Sequence, residues 1–239
     1  MRSRTGDRFV PTPALGGVGG LREARRARRR MLAAALAGAV LAGAAIAGVP
    51  RRASAQTRPR TPTPRQTAGP FYPDEFPADG DGDLVQVKGK SGIARGEILL
   101  LAGTVMNVDG EPLPGARVEI WQCDAGGRYH HSRDSSSIAP DPNFQGWGQF
   151  TTGADGAYRF RTIRPVPYPV RTPHIHFQVT GERIPRLVTQ MYVHGEPGNA
   201  RDGLLGSLSL ADRAAVLVRL EQAPDGRALA GRFDIVLRT

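Results

Sequence analysis

The sequence predicts an all-β fold, a β-sandwich with one short helix near the C-terminus. Three observations predict it. From about residue 97 the chain is a series of short apolar or alternating runs, glycine- and proline-rich turn signals separate them, and only one stretch has helical character. Ile98–Val108 is an apolar run closed by Asp109-Gly110-Glu111-Pro112-Leu113-Pro114-Gly115. Ala116–Cys123 alternates, with Ala116, Val118 and Ile120 on one face and Arg117, Glu119 and Trp121 on the other. Asp155-Gly156 is a turn between strands at Gln149–Thr152 and Ala157–Ile163, and further strands are expected at His174–Thr180, Leu187–Val193 and Leu229–Leu237. The helix is expected over Leu210–Gln222, with Ser209 as its cap and Asp212 completing an approximate capping box.

The 239 residues carry a formal net charge of +10, which on its own points to a nucleic-acid or membrane partner. Location removes that reading. Residues 1–55 hold eleven Arg against Asp7 and Glu23, and the rest of the chain is close to neutral. No nucleic-acid partner is expected. Arg25, Arg26 and Arg28–Arg30 run into Met31–Val49, nineteen uncharged residues rich in Ala and Gly, followed by Ala53-Ser54-Ala55. A basic region, a mildly apolar region and a small-residue site describe an export signal, with cleavage expected after Ala55. Arg28-Arg29-Arg30-Met31-Leu32 has twin-arginine character, so the expectation is export of the folded protein to a periplasmic or extracellular location. Membrane contact is then expected through this signal alone.

Three regions follow: the signal at 1–55, an extended Pro/Thr/Arg-rich arm at 56–96, and a β domain at 97–239. Asp79, Asp81 and Asp83 alternate with Gly, but Leu84 stands where a calcium loop needs its glycine, so a solvated turn is expected. Cys123 is the only cysteine, which excludes internal disulfides and leaves stability to the apolar core. It is read as a buried strand thiol.

The chemistry concentrates at His174-Ile175-His176. On a strand, Ile175, Phe177 and Val179 share one face, and His174, His176 and Gln178 share the other, so the two imidazoles can grip one metal ion. His-x-His alone is weak evidence, since paired histidines also occur on surfaces. His130, His131 and His194 show no such partnership and are read as surface or supporting residues. Tyr129, after Gly126-Gly127-Arg128, and Tyr168, within Pro165-Val166-Pro167-Tyr168-Pro169, both lie on irregular segments near strand ends, where binding residues collect.

Taken together, these stretches resemble the intradiol ring-cleavage dioxygenases, of the protocatechuate 3,4-dioxygenase β-subunit type. The resemblance runs through GTVMNVDGEPLPGARVEIWQCDAGGRYHH, DPNFQGWGQFTTGADGAYRFRTIRPVPYP and RTPHIHF, with TPRQTAGPFYP, TQMYV and RFDIVLR outside them. It implies an immunoglobulin- or prealbumin-like sandwich and a non-haem Fe(III) site with Tyr129, Tyr168, His174 and His176 as ligands. It further implies catalytic roles for Tyr168, Arg171 and Gln190. The implied reaction cleaves a catechol-type aromatic between its hydroxyl-bearing carbons with O2, giving a cis,cis-muconate-type dicarboxylate. Two phenolates and two imidazoles suit a hard trivalent ion. The resemblance also allows a homo-oligomer or a sister α-type subunit.

Only Pro169 and Val170 separate Tyr168 from Arg171, a shorter loop than in the protocatechuate enzymes, which leaves the catechol open: protocatechuate or a related one. The rival reading is a non-catalytic transthyretin-like or carboxypeptidase-regulatory sandwich, suggested by GxVxxxxGxPLPGAxVEI. That pattern specifies fold and not activity.

Overall fold

The computed structural model describes residues 59–239, so the expected export signal lies outside the described residues. The described chain is mostly β: two five-stranded sheets and little helix. The first sheet is built on β1 (Ile98–Asn107), which pairs antiparallel with β4 (Ala157–Ile163) and parallel with β9 (Leu229–Arg232) and β10 (Ile235–Leu237); β8 (Leu220–Gln222) pairs with β9. The second has the order β3 (Trp147–Thr151), β2 (Arg117–Trp121), β5 (His174–Gly181), β6 (Ile184–Val193) and β7 (Leu217–Val218). Between them lies one apolar core. Leu99, Leu101, Tyr158 and Phe160 from the first sheet meet Val118, Ile120, Ile175, Phe177 and Val179 from the second. The β5 residues in this core are the alternate ones, as period two requires.

Several boundaries differ from the sequence reading. The helix α2 runs only over Leu210–Val216, because Leu217–Val218 and Leu220–Gln222 are recruited as strands by β6 and β9. Sheet pairing overrides helix propensity there. Its Ser209 cap accepts from the Asp212 N–H as expected. Two short elements were not anticipated, a 3-10 turn at Pro197–Ala200 and helix α1 at Gly203–Gly206. The run Leu229–Leu237 is two strands, broken where Phe233 folds inward and the Asp234 carboxylate accepts the Thr104 N–H. Gly103 is what allows this: a Cβ there would meet the Phe233 carbonyl oxygen and the Tyr158 hydroxyl.

On the other face of β2, Arg117 is exposed while Glu119 and Trp121 are buried. Glu119 and Trp121 are covered by the arm, whose Tyr72 donates its hydroxyl to Glu119 at 2.7 Å and sets its ring edge against Trp121. Burial and this hydrogen bond push the Tyr72 hydroxyl up to about 12. Further back, the arm is tied to both sheets, through Thr63 N–H to the Val236 carbonyl and Gln66 N–H to the Val188 carbonyl. The Asp79–Asp83 segment is a turn whose carboxylates accept backbone N–H groups of Asp83, Val85, Gln86 and Lys88, and Asp83 pairs with Arg161. Cys123 is buried just past the end of β2, and burial pushes its thiol up to about 12.

Phe177 is fully buried and contacts the rings of Tyr158 and Phe233 across the two sheets. Phe177→Ala is expected to lower unfolding free energy by about 3–5 kcal/mol in urea titration.

Candidate functional site

The site is assembled by strand register. Trp121 on β2 sits opposite His176 on β5, which sits opposite Gln190 on β6, and His174 sits opposite Tyr192. Because directly opposed residues share a face, the two histidines, Trp121, Gln190 and Tyr192 all project away from the core. Trp121 stacks on His176 with centroids 4.9 Å apart and rings 7° from parallel, which fixes that imidazole.

The tyrosines arrive on loops. Beyond β2, the buried Asp124 accepts the N–H groups of Gly126 and Arg128 through one oxygen and that of Asp141 through the other. That knot delivers Tyr129, whose own N–H is taken by Asp134. Tyr168 opens a tight turn in which Arg171 N–H returns to its carbonyl at 2.9 Å. Pro169 occupies the second position and Val170 the third, at φ +62°. That is the pattern of a type II turn, where glycine is the usual third residue. Val170 is 94% exposed and makes its turn without help from packing.

The structure thus brings together Tyr129, Tyr168, His174 and His176. Ring centroids are 5.3 Å apart for the two tyrosines, 5.4 Å for Tyr168 and His174, and 4.8 Å for the two histidines. His174 donates from Nδ1 to the Thr172 carbonyl at 2.6 Å, which assigns its tautomer and leaves a lone pair on Nε2. That Nε2 lies 3.2 Å from Nε2 of His176. The buried Tyr129 hydroxyl and His176 Nδ1 have no hydrogen-bond partner among the described residues.

Burial governs the protonation states. It lowers His174 to about 4, with the Arg171 charge adding to the shift, and it holds His176 well below the ordinary imidazole value, with His174 and Arg171 adding to that shift. It raises Tyr129 well above the ordinary phenol value and also raises Tyr168, where nearby Arg171 opposes it. The protein alone therefore holds two neutral imidazoles and two neutral phenols around one point. Two ring nitrogens this close repel unless a proton or cation lies between them, and an unpartnered buried hydroxyl is costly. A bound cation would relieve all of this by accepting both lone pairs and stabilising phenolate. Among the described residues no group of three or more His, Cys, Asp and Glu is placed to share a metal ion, so a cation here must recruit the tyrosines.

Arg171 and Gln190 are adjacent. Arg171 Nη2 donates to Gln190 Oε1 at 2.6 Å, and Gln190 Nε2 donates to the Thr67 carbonyl at 3.0 Å. A cavity of about 600 Å3 beside Tyr168 is lined by Val170, Arg171, Thr172, Pro197 and Arg201 among others. Of the other histidines, His130 and His194 are exposed. His131 is buried against Phe71, its Nδ1 accepting from Arg133 N–H.

Several residues went unread from sequence. Phe71 stacks on Tyr129 at 4.7 Å, and Gly69, at φ +69°, passes so close that a Cβ would lie 3.3 Å from the His176 ring. Both lie in the TPRQTAGPFYP stretch, so that match was their only signal. Tyr192 lies two residues past Gln190, on the same face, and alternation alone could have found it. Its hydroxyl donates to Gln66 Oε1 at 2.7 Å, while Asp202 takes Arg171 Nε at 2.8 Å.

A two-sheet β scaffold on which two phenols and two imidazoles converge defines a narrow structural class. Comparison with known proteins agrees. The family model described as Dioxygenase matches residues 67–239. The β chain of protocatechuate 3,4-dioxygenase from Burkholderia cepacia is 39% identical over 195 residues, covering 76% of this chain and 83% of that one. Hydroxyquinol 1,2-dioxygenase from Corynebacterium glutamicum is 32% identical over 200 residues, covering 71% of this chain and 61% of the relative. Among solved structures, the dioxygenase domain of a dioxygenase and carbohydrate-binding protein fusion from a cellulolytic Streptomyces superposes with a TM-score of 0.59 at 34% identity, covering 75% of this chain and 99% of that one. Catechol 1,2-dioxygenase from an Acinetobacter, inhibited by bound mercury, gives 0.57 at 28% identity, covering 74% and 62%. The chain belongs to the intradiol ring-cleavage dioxygenases.

A buried neutral histidine makes stability depend on pH. Between about 6.5, the ordinary histidine value, and about 4, the unfolded state binds a proton that folded His174 refuses, so stability is lost as pH falls through this window. In metal-free protein the urea midpoint is expected to drop on acidification from pH 6.5 to 4. The drop is expected to be smaller in His174→Gln, and an identical profile would refute the assignment.

Proposed function

We propose that this chain is a non-haem Fe(III) intradiol dioxygenase that cleaves a catechol between its two hydroxyl-bearing carbons with O2, yielding a cis,cis-muconate-type dicarboxylate. The observation that carries the reading is the convergence of His174 Nε2, His176 Nε2 and the unpartnered Tyr129 hydroxyl beside Tyr168. Tyr129, Tyr168, His174 and His176 would hold the iron, a donor set of hard phenolates and neutral imidazoles suited to a trivalent ion. When bound, the iron supplies a Lewis-acidic centre that activates the diol towards O2. The scaffold fits an immunoglobulin- or prealbumin-like sandwich. A transthyretin-like binding module would have no use for a buried set of unpartnered Tyr and His donors.

The chain's own residues divide the remaining work. Tyr168 is half-buried and borders the cavity, so its phenolate oxygen is the group placed to accept a proton from an incoming hydroxyl. Arg171, clamped beside it, stabilises negative charge developing on the substrate, and Gln190 holds the guanidinium from the other side. Trp121 and Phe71 wall the site from water. The cavity beside Tyr168 has room for a ring substituent, so protocatechuate or a related catechol is the proposed substrate class.

The relative from Burkholderia is a β chain by name, which supports a sister α-type subunit as partner, with a homo-oligomer as the alternative assembly. Residues 1–55 support export by the twin-arginine route, and folding around the metal before crossing is consistent with that choice.

Iron-loaded protein is expected to show a visible tyrosinate-to-Fe(III) absorption that bleaches on chelation, and to take up O2 with a catechol. His176→Ala is expected to lose iron or at least about 100-fold in turnover. A colourless protein that binds no iron and consumes no O2 with any catechol would overturn the reading.

A further inference from the structure

We propose that Asp202 is a positioning residue: it aims the Arg171 guanidinium into the site and touches no substrate atom itself. The inference rests on the dioxygenase reading for its catalytic consequence. The Asp202 side chain is fully buried, at 0% exposure, and every acceptor direction is used. Oδ2 accepts Arg171 Nε at 2.8 Å and the Thr172 N–H at 3.1 Å. Oδ1 accepts the N–H groups of Leu204 and Leu205 at 3.1 and 3.0 Å. One carboxylate therefore joins the start of α1 to the segment that carries Arg171.

The two oxygens have separable tasks. Capping α1 with Oδ1 needs an acceptor but no charge, since Asn or Ser caps as well as Asp. The Oδ2 contacts face a guanidinium in a buried setting, where a charged acceptor is worth about twice a neutral one. Arg171 is held from two sides, at Nε by Asp202 and at Nη2 by Gln190, whose own amide is fixed on the Thr67 carbonyl. No protein acceptor takes Nη1 among the described residues. Nη2 also reaches the Tyr192 hydroxyl at 3.4 Å, so the guanidinium is fixed at Nε and Nη2, and Arg171 lines the cavity that Tyr168 also lines. Asp202 also pins Thr172, whose carbonyl orients His174. Its loss is therefore read at the guanidinium first and at the histidine second.

Asp202→Asn keeps an oxygen for the α1 cap but turns an amide N–H towards Arg171 Nε–H. In the iron-loaded protein D202N is expected to retain iron and the visible absorption while kcat falls about 10- to 100-fold. In an R171Q background D202N is expected to add no further loss, because both changes remove the same oriented cation. In metal-free protein, the Arg171 Nε–H proton is expected to exchange slowly with water in the wild type and rapidly in D202N, read by 15N NMR. Should D202N not fold, D202S keeps a capping oxygen, removes the charge and takes the same measurements. Wild-type turnover in a folded variant, fully additive losses in the double variant, or unchanged Nε–H exchange would each overturn the proposal. A wild type inert to every catechol would overturn the dioxygenase reading and the catalytic role of Asp202, while the exchange measurement still decides whether Asp202 holds Arg171.

Discussion

The structure depends on a constraint imposed by one strand. Along β5, Ile175, Phe177 and Val179 must enter the core between the sheets, so His174, His176 and Gln178 are forced to the opposite face. That face cannot be left as a solvated surface if the imidazoles are to stay neutral and close. The arm answers the constraint. Residues from Gln66 to Phe76 cover the outer face of the second sheet, with Tyr72 on Glu119 and Trp121, Phe71 on Tyr129, and Gly69 against His176. What looks like a leader to the domain is the wall of its site.

This explains what the sequence could and could not disclose. The period-two pattern of β5 specified which face carried the histidines, and Ala157–Ile163 was legible to the residue because alternation and a flanking Asp-Gly turn agreed. The burial of Glu119 and Trp121 was not legible, since it comes from a segment with no apolar period of its own, packed from far along the chain. For Tyr129 and Tyr168 the sequence itself offered only their place on irregular segments near strand ends, and the resemblance alone implied a ligand role, because loop geometry made by Asp124 and by the Tyr168–Arg171 turn leaves no periodic mark. The C-terminal helix was overextended for a related reason. Local propensity favoured helix through Gln222, and strand edges of β6 and β9 took Leu217–Val218 and Leu220–Gln222 instead.

Electrostatically the site is a set of opposed preferences. Burial keeps the phenols protonated and the imidazoles uncharged, and Arg171 adds a positive charge that the fully buried Asp202 offsets. Among the described residues nothing satisfies the Tyr129 hydroxyl. Such a pocket is costly without a charge at its centre, and a cation placed there would relieve it.

Val170 stands apart from this network. It sits at the mouth of the cavity, in a backbone conformation costing about 1–3 kcal/mol for a β-branched residue, with its side chain in solvent. A position that contributes neither to the core nor to the donor set can change identity without dismantling either. The rim is thus decoupled from the scaffold that brings the two tyrosines and two histidines together, and the entrance can change, one side chain at a time, while the arrangement beneath stays intact.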